Sequence, residues 1–103
     1  MTTIREYTLP ENQPCVMRID RAYFPRTGRV PWPVCVVGEI AGVAGTVAVE
    51  LPGHAFEPMR SAGVIRGDGH FLLRRHWWSL TLHRAPQQTF RTALVTPCSS
   101  SEG

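Results

Sequence analysis

The chain has 103 residues, 43% of them apolar and 18% charged, with a formal net charge of +3. That length suits one domain with its own hydrophobic core, and the balance excludes a disordered polyelectrolyte. A small positive charge admits an anionic partner but falls short of a dedicated nucleic-acid binder. All eleven basic side chains are arginine and none is lysine. GC-rich coding gives that bias, and so does selection for planar bidentate donors that grip phosphate or carboxylate. The longest apolar run, residues 34–37, is far too short to span a bilayer. The N-terminus shows no basic region followed by an apolar stretch, so a soluble, cytoplasmic protein without a secretory signal is expected.

In chain order, residues 4–9 form a first short candidate strand, closed by Pro10 and the turn through Pro14. Residues 15–24 alternate with period two, with Cys15, Met17, Ile19 and Tyr23 on one face and Arg18 and Asp20 on the other. Residues 25–33 hold three prolines, a glycine and two arginines, which predicts an exposed, partly stiffened loop. Residues 34–40 read as a buried central strand in which Cys35 behaves as a small apolar side chain. Residues 46–51 alternate again, with Val47, Val49 and Leu51 inward, and complete a hairpin.

The one candidate helix is residues 56–62. Pro58 suits the first helical position, Glu57 favours the positive end of the helix dipole, and Gly63 is a natural stop. Residues 64–66 make a short strand and Gly67-Asp68-Gly69 a tight turn. Residues 71–84 are the longest predicted strand. From Trp78 onward Trp78, Leu80 and Leu82 share one face, opposite Trp77, Ser79, Thr81 and His83; the earlier pattern breaks, which predicts a bulge near 74–76. After a turn at 85–88, residues 89–96 form the last strand. The expected organisation is one β-rich domain over residues 1–97 and a flexible tail over 98–103. Its fold class is mainly β, a small β-barrel or β-sandwich of about six to eight short strands with one short helix near 56–62.

Arg75 and Trp77 on the outward face of the long strand, with His83 further along it, form the first candidate surface. Arginine beside an open indole can stack a nucleobase or anchor a protein partner. The plain alternative is that Trp77 is covered by the proline-rich loop. That loop supplies Arg26, Arg29 and Trp32, either as a second part of the same surface or as packing at one end of the fold.

Enzyme signatures are absent. There is no phosphate-cradling loop, no GxSxG, no HExxH and no pair of carboxylates on a common face. The histidines at 54, 70, 76 and 83 lack metal-ligand spacing, so no metal and no cofactor is expected. Cys15, Cys35 and Cys98 are an odd set without CxxC spacing and read as reduced thiols. Arg66-Gly67-Asp68 matches an integrin-type tripeptide but is better read as hairpin chemistry.

The leading expectation is a non-enzymatic binding protein with a protein partner, an accessory, adaptor or inhibitor of the kind that phages and mobile elements carry. An OB-like nucleic-acid-binding module using arginine and tryptophan is the alternative. An enzyme or ligand carrier with a pocket assembled from distant His76, His83 or cysteine side chains is the third. Self-association through the last strand, as an unpaired edge, is also open.

Overall fold

Nine prolines and nine glycines divide the chain into short extended stretches, and a computed structural model shows how these pair. It describes residues 3–23, 33–67, 69–84 and 91–98, without the side chains of Arg74, Arg75 and Arg91. The strands are β1 (Arg5–Glu6), β2 (Cys15–Tyr23), β3 (Val34–Ile40), β4 (Val47–Leu51), β5 (Val64–Ile65), β6 (Phe71–Arg84) and β7 (Arg91–Pro97). A 3-10 turn (Gly53–Phe56) leads into α1 (Glu57–Ala62), the one α-helix among the described residues. The expected loop at 25–33 and tail at 98–103 fall almost wholly outside the described residues, so Arg26, Arg29 and Trp32 do too.

All seven strands belong to one mixed sheet of order β1-β4-β3-β2-β6-β5, with β7 also paired to β6. β1 runs parallel to β4, and every other strand pair is antiparallel. As expected, the described chain is mainly β with one short helix; the sheet curls over one core, and of the two expected architectures the closed barrel is not formed, because its hydrogen-bonded path stays open. The gap is spanned by the segment between β4 and β5. There the His54 ring Nε2 accepts the Ala93 N–H of β7 at 3.2 Å, so this outward donor of the candidate edge strand is already occupied.

The core follows the alternation read from the sequence. Val47, Val49 and Leu51 of β4 and Trp78, Leu80 and Leu82 of β6 are all buried, meeting Met17 and Ile19 of β2 and Val34 and Val36 of β3. α1 begins where Pro58 can sit in its first turn, and it buries Met59. Phe56 packs edge-on to Phe71, with centroids 4.4 Å apart, pinning the helical segment to β6. Gly63 ends the helix in an extended conformation rather than a left-handed one. Its missing side chain matters for packing, because a Cβ there would come within 3.0 Å of Leu73 Cδ2.

A bulge at Asp20 changes the phase of β2. Ile19 pairs with Gly38 and Arg21 with Val37, so Asp20 is one extra residue against β3. Across β6, Ile19 pairs with His76 and Arg21 with Leu72, so residues 73–75 loop out opposite it, where the broken pattern of β6 predicted a bulge. Beyond the bulge the core residue is Ala22, while Arg21 and Tyr23 are half-buried. This corrects the expected placement of Tyr23 on the core face with Met17 and Ile19: strict alternation cannot be carried through an extra residue. No helix among the described residues is long and apolar enough to cross a membrane.

Candidate binding face

β2, β6 and β7 lie side by side, and their cross-strand partners fix the rows of their outer face. The first row is Glu39, Arg18 and Trp77, since Arg18 pairs with Glu39 on β3 and with Trp77 on β6. The second is Val16, Ser79 and Thr96, the third Thr81 and Leu94, and the fourth His83 and Thr92. Trp77 is 38% exposed, Val16 40% and Leu94 57%. Its neighbour Trp78, one residue on and turned inward, is 1% exposed.

Among the described side chains of these rows, Arg18 and Glu39 carry opposite charges and meet. Arg18 Nη2 lies 3.1 Å from Glu39 Oε1, and the Arg18 guanidinium sits 5.9 Å from the centroid of the Trp77 ring. At the other end Arg84 Nε is 3.4 Å from Glu11 Oε2, and the His83 ring contacts the Asn12 side chain at 3.4 Å. Glu11 reaches this place because it bridges in parallel to Leu82, with the Asn12 N–H on the Leu82 carbonyl at 2.7 Å.

The structure therefore places Trp77 and His83 on one face but separates them by six strand residues, roughly 20 Å. Arg75 lies on the same strand at the bulge. Trp77 is exposed with an arginine over it, and that arginine is Arg18. Period-two reading had put Arg18 outward without a neighbour, because cross-strand partners are not visible within a single strand's pattern. Val16 and Leu94 were missed for the same reason, although each falls in the outward phase of its own strand.

A shallow cleft of about 380 Å³ opens beside this face. Pro58, Ser61 and Ala62 of α1 form one wall, and His76, Trp77, Trp78, Pro97 and Cys98 the other. It joins His76 and a cysteine, two residue types expected in an assembled pocket, while His83 lies outside it. No hydrogen bond joins His76 to Cys98.

The opposite end of the sheet holds a second polar group. Cys35 is half-buried and pairs with Tyr23 across β2 and β3. The expectation of Cys35 as a buried apolar side chain is thus corrected: its neighbours Val34 and Val36 face the core, so alternation turns Cys35 outward. A hydrogen bond to Cys35, with some burial, pushes the Tyr23 phenol above its ordinary value, while Arg21 pulls the other way. His70 stacks on the Tyr23 ring with centroids 5.2 Å apart.

A raised phenol pKa favours the protonated form in the fold. Its contribution to stability is complete below the ordinary phenol value near 10 and is lost as pH rises through the folded value. In an absorbance titration at 295 nm we expect one phenol to ionise late. Tyr23→Phe should delete that phase and Cys35→Ala should move it down. A late phase unchanged in Cys35→Ala would contradict the assignment.

All three cysteines are free thiols, and none is fully exposed. Comparison with protein-family models, with curated protein sequences and with solved structures finds no match to the chain.

Proposed function

We propose that the chain is a small non-enzymatic binding protein that presents the outer face of β2, β6 and β7 to a protein partner. The observation that carries this reading is the exposure of Trp77, Val16 and Leu94 on one face, among the hydroxyls of Ser79, Thr81 and Thr96. Aromatic anchors set among small polar side chains suit a protein interface, where a few desolvated residues supply most of the affinity. A nucleic-acid partner would instead need cations free to replace counterions along phosphates. Among the described side chains of these rows the arginine, Arg18, is engaged by the Glu39 carboxylate, which is why a protein surface is preferred. An accessory, adaptor or inhibitor role in a reducing cytoplasm fits the small size and the three free thiols.

The test is affinity capture with the wild-type chain and with the double variant Trp77→Ala, Leu94→Glu, both shown to be folded by thermal melting. We expect the variant to lose a specific partner by about tenfold or more, in keeping with loss of a central anchor. Equal capture by both proteins would sink the face. Oligonucleotide binding that weakens steeply with salt would replace the protein reading with the nucleic-acid one.

A further inference from the structure

The open side of the sheet is fastened to β7 by a hydrogen bond whose acceptor is a titratable ring. His54 Nε2 takes the Ala93 N–H at 3.2 Å. A backbone N–H can only donate, so Nε2 presents its lone pair and the neutral ring keeps its single proton on Nδ1. A protonated imidazole carries an N–H at both positions and has nothing with which to accept. The contact therefore exists in one charge state of His54 only.

The turn that presents this ring is firmly placed. The Ala55 N–H donates to the Pro52 carbonyl at 2.9 Å, Ala55 and Phe56 are buried, and Phe56 packs on Phe71 of β6. His54 itself is exposed, so a proton reaches the ring without any unfolding. On the other side of the contact, β7 runs along the edge of the sheet. Its Cys98 N–H faces β6, where it meets the Trp77 carbonyl, and alternation turns the opposite phase, with Ala93 and Pro97, outward. Pro97 has no N–H to offer, and Ala93 gives its own to His54 instead of to a further strand.

The 3-10 turn packs against β7, α1 and β3. The titratable or charged residues of those elements are Arg91 of β7, Glu57 and Arg60 of α1, and Cys35 and Glu39 of β3. Between pH 5 and 8 the side chain whose charge ordinarily changes is histidine. His83 of β6 pairs with Thr92 and so lies beside β7 from its other side, which makes it the histidine to tell apart from His54.

We propose that His54 is a proton-operated latch of the fold: the neutral ring holds β7 against the segment between β4 and β5, and protonation lets that edge of the strand go. β7 stays laddered to β6 throughout, so the release is local rather than global. It falls on the strand that carries Thr92, Leu94 and Thr96 of the outer face, which becomes looser in acid than at neutral pH.

The experiment is a titration of the free, ¹⁵N-labelled full chain from pH 8 to pH 5, following the Ala93 amide and the ring signals of His54. The amide proton is expected to move upfield with the same midpoint as the His54 ring. Its protection against hydrogen exchange, corrected for the pH dependence of the open amide, should fall about threefold to tenfold, as for loss of one net hydrogen bond. His54→Gln, whose amide oxygen accepts in every charge state of the protein, should keep the Ala93 amide protected across the range. His54→Ala should leave it in the released condition at pH 8, and His83→Gln should not disturb its titration. An Ala93 amide that stays put while the His54 ring titrates would overturn the latch. So would a titration that survives His54→Gln and disappears in His83→Gln. Both readouts come from the chain alone, so they stand or fall independently of what the outer face binds.

Discussion

Trp78→Ala should destabilise the protein by about 3–5 kcal/mol, while Trp77→Ala, one residue away, should cost about 1 kcal/mol or less. Trp78 is 1% exposed and opposite Met17 in the pairing of β2 with β6, within a core that also holds Leu80 and Leu82 of its own strand. Removing it leaves a cavity that a sheet held on both edges cannot collapse around. Trp77 is 38% exposed, and its main partner is the Arg18 guanidinium, which keeps its Glu39 carboxylate when the ring is gone. Whole domains of this size are stable by only about 5–15 kcal/mol, so the first variant approaches global unfolding and the second does not. Thermal or urea melts of the two variants side by side decide it. Comparable losses would mean that the inward and outward faces of β6 are wrongly assigned.

Gly38→Ala should be nearly as damaging. Gly38 is buried and pairs with Ile19 at the Asp20 bulge. A methyl group there would run into the Arg18 carbonyl oxygen and come within 2.9 Å of the Ile19 Cα. Both are backbone atoms of the adjoining strand, so no rotamer change can relieve the contact. Overpacking in a core costs about 1–3 kcal/mol where side chains can shift, and the upper end or more is expected where backbone must. At about 4–8 °C per kcal/mol for a domain of this size, the melting temperature should fall by at least roughly 12 °C. Gly42→Ala is the control that separates crowding from backbone freedom. A Cβ at Gly42 meets nothing within 4 Å, but its φ is +88°, so that variant suffers from conformation alone. A fully stable Gly38→Ala would show that β2 and β3 do not approach at the bulge as described.

Much of the element map was legible because it rests on local signals. The strands at 34–40 and 71–84 have the extents read from pattern, and α1 lies within the span marked by Glu57, Pro58 and Gly63. Alternation also sorted Trp77 from Trp78 and put Val47, Val49 and Leu51 inside. It failed at Tyr23, where one extra residue in β2 exchanges the faces, and at Cys35, whose apolar neighbours disguised an outward position. Nothing in a single strand's pattern announces that β1 lies parallel to β4, or that Arg18 meets Trp77. The candidate site is made almost wholly of such non-local pairings. The cleft in particular needs α1, β6 and the end of β7 at once.

The sheet order also bears on how the chain reaches this state. The neighbouring hairpins β3–β4, β5–β6 and β6–β7 join strands adjacent in sequence and can form early. The central union does not: Met17 must find Trp78, and Arg5 must find Val47. Each closes a long loop and loses chain entropy before its contacts are complete. The β2–β6 seam therefore sets the pace of folding, in the millisecond-to-second range of sheet proteins rather than the microseconds of helical bundles. Until that seam forms, the apolar faces of β2 and β6 remain open to other chains, and the protein is most vulnerable to aggregation while it is being made.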